Sequence, residues 1–450
     1  MSRDGENIEH EDNGEREYQF KPSEIIEIRQ RAATRLHEML QGDGKDTITT
    51  TTDTANATTT TIGSVSCFEA HGFVRRSGFC TVRECRSMKD EMERSVYEEW
   101  DPNTMGLDSF GTDDEANVSR GDYFLESADR IHFFAEPTAL RTVATTTTKT
   151  TTTTTTTTSS SSDTVVDGKE QLERQRRRRR RRQVLKPEYD GVHRIESLNK
   201  VGHALHVPTG TPFGAYVRSK KLSRLVRDEL RWNDPVVPQS MYIFKQARTG
   251  GPVHSHQDST FLYTTPQQTC LGLWLALDDA TVENGCLWVR PGSHHEPVRR
   301  QYCRNPDHFG TDAIADRSNR ARGDPSAPKF VMRTLVVPDD GDATKSSSPS
   351  PSQPTTTTTT TTNRSVPWDG KLPDNGWRGL FDAGFVPIEC RAGDLLVFRG
   401  TLDHLSLPNF SDRARHTFQL HLIEGPGAGI TWSPSNWLQY PHGKPFVKLG

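Results

Sequence analysis

Apolar residues in this chain follow two spacings, and the change from one to the other near Pro235 is the main structural signal. Before it, helical periodicity dominates. Pro22-Ser23 is a start signal, Glu24 an acidic first turn, and Ile25, Ile28, Ala32, Leu36 and Leu40 form one stripe, which predicts a helix over residues 20–40. A second helix is predicted over 81–100, with Val82, Met88, Met92, Val96 and Trp100 facing inward. Two further helices are predicted over 195–205 and 221–230. Short strands are expected at Gly72-Phe73-Val74 and around Arg130-Ile131-His132-Phe133-Phe134.

Beyond Pro235 the apolar runs shorten and are bounded by Gly, Pro, Asn and Asp. Strands are predicted at 240–245, 272–277, 286–289, 395–399 and 418–423. Asn284-Gly285 reads as a hairpin turn, since both residues tolerate positive φ, and Pro291-Gly292-Ser293-His294 turns the chain again. Many short strands with turns between them predict an antiparallel sandwich or small barrel, mainly β with flanking helices, whose open end is a natural cup for a metal.

Composition changes the domain count. A chain of 450 residues is long enough for two or three domains, but residues 47–61, 145–162 and 346–362 are Thr-, Ser- or Pro-rich tracts that bury too little apolar surface to offset their ordering entropy. The expected organisation is therefore an extension over 1–65, one helix plus a Thr-rich linker, followed by a single domain over 66–450. Low-complexity insertions interrupt that domain at about 142–185 and 304–375.

A net charge of −3 argues against nucleic-acid binding as the main role. Arg174 and the arginines at 176–182 are the one hint of nuclear import or polyanion contact. Seven cysteines without a CxxC pair suggest scattered reduced thiols. Absence of a signal sequence, of a long apolar span and of a peroxisomal Ser-Lys-Leu ending leads to a cytoplasmic protein with no membrane partner, nuclear if the arginine run acts as an address.

The chemistry concentrates in two places. In His254-Ser255-His256-Gln257-Asp258, residues two apart share a strand face, so His256 and Asp258 aim at one point. Gly393-Asp394 opens an apolar strand that delivers His404. Two imidazoles and one carboxylate on one side of a metal form the facial triad of non-haem Fe(II) oxygenases, with positions left open for cosubstrate and O2. Arg415 suits the distal carboxylate of a 2-oxoacid, Thr417 shares its face, and Arg413 is the competing cation. His254 is read as a rim residue, His294 as structural or supporting, and His203, His206, His416 and His421 as ordinary buried histidines.

His256-Gln257-Asp258, Trp274, the run Glu283 to Trp288 and Pro291-Gly292-Ser293-His294 resemble the phytanoyl-CoA dioxygenase family. Gln239 to Lys245, Asn199 to His206, Asp122-Tyr123-Phe124-Leu125 and Trp432-Ser433-Pro434 are most similar to its phytanoyl-CoA dioxygenase domain-containing branch. The resemblance implies a double-stranded β-helix (jelly roll, cupin-like) that uses Fe(II), 2-oxoglutarate and O2. It implies iron ligands His256, Asp258 and His404, a 2-oxoglutarate tail on Arg415 and Ser406, and a pocket lined by Lys200, Met241 and Trp274. Gln257 falls in the same contiguous stretch, its side chain expected to point away from the metal. The implied activity is hydroxylation of a small-molecule or acyl substrate. Competing readings are a catalytically silent ligand-binding protein and a protein hydroxylase whose Arg-rich insert recruits an acidic partner. Neither the prime substrate nor an oligomeric state is legible in the sequence.

Overall fold

The computed structural model describes residues 20–41, 50–52, 58–60, 65–144, 181–335, 375–440 and 444–450. The Ser/Thr tracts at 145–162 and 346–362 and the arginines at 174–180 lie outside the described residues. Within the Thr-rich linker, Thr50–Thr52 pairs antiparallel with Thr58–Thr60.

Two sheets face each other. The larger is built from β1 (Phe73–Arg76), β2 (Ile131–Ala135), β3 (Leu198–His203), β4 (Pro235–Ile243), β6 (Leu271–Ala276), β9 (Leu395–Arg399) and β11 (Thr417–Glu424), in spatial order β1-β9-β6-β11-β4-β3-β2. Short strands Asp108–Ser109 and Val447–Lys448 extend it. The smaller sheet contains β5 (Val253–His256), β7 (Leu287–Val289), β8 (Val386–Ile388) and β10 (His404–Ser406), in order β5-β10-β7-β8. From β4 onward the chain crosses between the sheets at every step except β7 to β8, which are neighbours in the smaller one, the winding of a double-stranded β-helix.

Alternation along each strand decides what lies on each face. Leu271, Leu273 and Leu275 of β6, Leu395 and Val397 of β9, and Phe418, Leu420 and Leu422 of β11 join a core with helix α2 (Val82–Arg94), which contributes Cys85, Met88 and Met92. Their intervening neighbours Trp274, Ala276, Leu396 and Phe398 turn to the smaller sheet and belong to a second cluster with Leu287, Trp288, Val289 and Leu405. Helix α1 (Pro22–Gln41) buries Ile28, Ala32, Leu36 and Leu40 in this second core. Its Arg29 ion-pairs with Glu283 and Glu389.

Four expectations are corrected. Residues 195–205 do not form a helix: a 3-10 turn over Gly191–Ser197 runs into strand β3. The three-residue spacing of Ile195, Leu198 and Val201 is helical, but pairing with β2 and β4 on both sides overrides it and makes a strand. Val82 is 68% exposed, because it opens the first turn after the Thr81 capping box rather than joining the buried stripe. Asn284-Gly285 makes a turn, with Gly285 at φ +82°, but not a hairpin. It carries the chain from the larger sheet to the smaller, where β7 pairs with β8 and β10. Finally, the stretch 304–375 is not wholly an insertion. Pro306–Phe309 and Thr311–Ala315 are helical, and Phe330–Thr334 pairs with Arg300–Arg304. This pairing buries Phe309 and Phe330 beside Phe124, Tyr302 and Trp437.

Trp100, 1% exposed, stacks on Phe133 at 5.0 Å between ring centres. Truncating it leaves a large void under the β2 edge. Trp100→Ala is expected to lower unfolding stability by about 3–5 kcal/mol, read as a lower urea midpoint. An unchanged midpoint would remove this stack from the core.

Candidate metal centre

His256 is the last residue of β5, Gln257 continues extended at φ −108° and ψ 127°, and Asp258 begins a 3-10 turn over Asp258–Thr260. The extended link keeps both side chains on one side even though Asp258 has left the strand. His404 opens β10 directly opposite His256 in the antiparallel register. One ligand atom from each of His256, Asp258 and His404 lies within 4.8 Å of the others. Asp258 Oδ1 is 3.4 Å from His256 Nε2 and 3.7 Å from His404 Nε2.

Each ring is fixed from behind. His256 Nδ1 donates to His254 O at 2.8 Å and His404 Nδ1 to Leu402 O at 3.0 Å, which leaves both Nε2 lone pairs facing inward. Gln239 Nε2 donates to His421 Nδ1, so His421 Nε2 carries the proton and donates to Asp258 Oδ2 at 3.1 Å. The preceding residue, Asp403, is fully buried and ion-paired with Arg290 and Arg299. Its N–H donates to Ser293 Oγ and its carbonyl accepts from Arg290, which holds the turn that presents His404.

Electrostatics favour cation binding. Burial opposes the Asp258 carboxylate, but His421, His404 and His256 outweigh it and hold the group well below its ordinary range. Burial and the neighbouring His256 push His404 down to about 4, so it is neutral. Burial also pulls on His256, but the hydrogen bond and charge of Asp258 win and raise it above 6.5. A buried donor set of two nitrogens and one carboxylate fits Fe(II) with its remaining positions free.

This centre opens into a cavity of about 720 Å³ that Lys200, Met241, Trp274, Ser406 and Arg415 also line. Arg415 is buried and lines the cavity, while Arg413 is exposed. Arg415 donates to Gly285 O and, at 3.4 Å, to Thr417 Oγ1, and its guanidinium lies 5.2 Å from the Trp274 ring centre. Arg415 Nε and Trp274 Nε1 are buried with no partner, two donors that a ligand tail would satisfy. Gln257 does not line the cavity: its amide donates to Thr401 O and Pro297 O and accepts from Arg299 N. Lys200 sits within β3, with Nζ 3.1 Å from His203 Nε2 and 3.8 Å from Met241 Sδ.

Three contributors were not anticipated. His421 belongs to the alternation Arg415, Thr417, Gln419, His421, so strand periodicity held a signal for it. Lys245 donates to Ser406 Oγ at 3.0 Å and Gly251 O at 2.8 Å, at a backbone φ of +35° that no local pattern announces. The segment bearing Phe110, Thr112 and Arg120 lines the cavity without any periodicity, and Thr112 Oγ1 holds the His254 ring at 2.9 Å.

Fold and site together define an oxygenase-type double-stranded β-helix with a His-Asp-His metal set. Residues 68–417 match the family model described as phytanoyl-CoA dioxygenase, and the chain belongs to that family. Phytanoyl-CoA dioxygenase domain-containing protein 1 of Rattus norvegicus is 32% identical over 384 residues, 85% of this chain and 96% of the rat protein. Phytanoyl-CoA dioxygenase 1 of Oryza sativa subsp. japonica is 32% identical over 378 residues, 83% of this chain and 91% of the rice protein. Among solved structures, the non-heme alpha ketoglutarate dependent epimerase SnoN is 13% identical at a TM-score of 0.38, covering 86% of this chain and 96% of its own. EctD from S. alaskensis with 2-oxoglutarate and 5-hydroxyectoine is 13% identical at a TM-score of 0.38, with 85% of each chain covered.

Removing a ligand should cost more than removing its support. Asp258→Ala is expected to weaken Fe(II) binding by more than about 100-fold, and His421→Ala by about 10–100-fold, measured by anaerobic metal titration. Equal affinities in wild type and Asp258→Ala would refute the ligand set. Because the metal takes only neutral imidazole, wild-type affinity should be flat above the raised His256 value. Below it, affinity should fall by about tenfold per pH unit; the same titration at several pH values checks this.

Proposed function

We propose that this chain is an Fe(II)- and 2-oxoglutarate-dependent dioxygenase that hydroxylates a small-molecule or acyl substrate. One observation carries the reading: the His256, Asp258 and His404 set and a buried, partly unsatisfied Arg415 line the same cavity. Metal chemistry alone would not need a second, buried guanidinium; a cosubstrate with a distal carboxylate would.

Bound at this centre, Fe(II) with O2 and 2-oxoglutarate supplies the oxidising power that releases succinate and CO2 and places one oxygen on a substrate carbon. The protein's part is binding, orientation and exclusion of water. Arg415 receives the distal carboxylate as a charge-assisted pair, with Trp274 below the guanidinium and Thr417 beside it. Ser406 completes the tail site, its hydroxyl oxygen already accepting from Lys245, which leaves its proton free to donate to the ligand. Met241 and Lys200 form the wall where the cosubstrate space meets the rest of the cavity. Gln257 orients the strand end through backbone contacts and takes no part in binding. Among the described residues no helix is long and apolar enough to cross a membrane.

Succinate formation from 2-oxoglutarate, dependent on both Fe(II) and O2, is the expected activity. Arg415→Ala should raise the 2-oxoglutarate concentration for half-maximal rate by about 10–100-fold, the worth of a charge-assisted hydrogen-bond pair. Arg415→Lys should fall between the two. An unchanged requirement in Arg415→Ala would place the cosubstrate elsewhere.

A further inference from the structure

Helix α1 lies outside residues 68–417, the part of the chain that matches the family, yet it docks behind the Arg415 end of the cavity. The turn over residues 281–286, which joins β6 to β7, backs that end. Gly285 O receives the Arg415 guanidinium. At φ +82°, Gly285 has no room for a side chain, since its Cβ would stand 2.3 Å from Lys245 Cε and 2.6 Å from Leu407 O. Lys245 in turn donates to Ser406 Oγ. Glu283 O accepts from the N–H of Phe410, another residue of the cavity wall.

The turn closes on itself through Cys286 N–H on Thr281 O and through Asn284, which bridges Thr281 N–H and Asp279 O. Its outer side carries two acids. The carboxylates of Glu283 and Glu389 both lie within hydrogen-bond distance of one nitrogen, Arg29 Nη2, at 3.1 and 2.7 Å. Like charges this close repel unless a cation stands between them. Glu389 Oε1 also accepts from Val282 N–H at 2.9 Å, so that repulsion would act directly on the turn. Arg29 meets it with a fork on Glu389, through Nε and Nη2, and with the further contact to Glu283. Phe20, just ahead of α1, packs edge-on against Phe410 with ring centres 5.9 Å apart.

We propose that α1 is a brace for the cosubstrate site, with Arg29 as its positioning residue. By holding Glu283 and Glu389 together, Arg29 keeps the 281–286 turn closed and the Gly285 carbonyl in place beneath Arg415. Arg29 touches neither metal nor cosubstrate; it acts through Gly285 on the tail end alone. The metal ligands are held by other groups: His256 and His404 by the carbonyls of His254 and Leu402, and Asp258 by His421. Affinity for the cosubstrate tail therefore depends on α1, and affinity for the metal does not. The link to 2-oxoglutarate rests on the oxygenase reading above; the bracing of the turn rests on Arg29, Glu283 and Glu389 alone.

Two measurements on the full chain test this, in wild type, Arg29→Gln, Arg29→Lys, Arg35→Gln and the double variant Arg29→Gln/Glu283→Gln. Arg35 is the control, because it fastens the same helix to Phe381 O at 2.6 Å and not to the turn. The first measurement is amide hydrogen exchange over residues 281–287, where the Val282 and Cys286 N–H groups report closure of the turn. Arg29→Gln should speed exchange there by about 3–10-fold, and Arg35→Gln should leave it unchanged. Arg29→Lys, which keeps the charge but not the fork, should fall between. Removing the Glu283 charge as well should restore part of the protection. The second measurement is calorimetric titration of 2-oxoglutarate into the Mn(II)-loaded proteins. Affinity should fall in the same order as protection, with Mn(II) affinity unchanged. Wild-type exchange in Arg29→Gln, equal acceleration in Arg35→Gln, no recovery in the double variant, or faster exchange with undiminished 2-oxoglutarate affinity would each overturn the proposal. Failure of wild type to bind 2-oxoglutarate sinks the cosubstrate reading, and hydrogen exchange then still decides whether α1 braces the turn.

Discussion

The antiparallel pairing of β10 with β5 is the constraint on which the site depends. It sets His404 opposite His256 across two strands that lie far apart in sequence, and a slip of one residue would turn His404 to the other face and leave Leu405 over the metal position. The pairing is itself held by neighbours. β7 fixes the far edge of β10, with Val289 opposite His404 and Leu287 opposite Ser406. The fully buried Asp403, clamped by Arg290 and Arg299, fixes the turn that enters it. Removing one partner from such a buried network leaves charge uncompensated, so its geometry is stiff. Carbonyl oxygens behind each imidazole then convert a backbone register into a defined orientation of nitrogen lone pairs.

From that centre the cavity is organised by charge. Asp258 is the carboxylate in contact with the two ligand imidazoles, and His421 keeps its second oxygen engaged so that the first faces His256 and His404. Arg415 and Lys245 border the cavity on either side of the Ser406 hydroxyl, and burial pushes the Lys245 ammonium well below its ordinary value. Buried positive charge on this scale is costly to an empty protein. On the proposed reading it preorganises the cavity for the distal carboxylate of 2-oxoglutarate.

Much of this was legible in the sequence. The iron set depends on i, i+2 spacing at His256 and Asp258, a signal that survives even though Asp258 begins a turn, because Gln257 stays extended. Arg415 was separable from Arg413 because Arg413 reads as a solvent-facing charge in the turn Asp412–Arg415, whereas Arg415 leads into the strand with Thr417 on its face. The core strands were legible because Leu271, Leu273, Leu275 and their counterparts alternate with residues of the opposite core. What escaped depended on partners distant in sequence. Strand β3 reads as helix until β2 and β4 are placed beside it, and Asn284-Gly285 reads as a hairpin until its strands are assigned to different sheets. Arg120 lies in a segment held by loop contacts with no periodic pattern, so its place in the cavity is a tertiary fact.

The central claim is that one cavity holds iron on His256, Asp258 and His404 and 2-oxoglutarate on that iron, with its tail at Arg415. Anaerobic difference absorption tests it most directly, by adding 2-oxoglutarate to the Fe(II)-loaded protein and watching for a visible charge-transfer band. The account predicts a band that needs both Fe(II) and 2-oxoglutarate and is lost when the iron is chelated. Folded protein with iron bound, 2-oxoglutarate present and no band would contradict it.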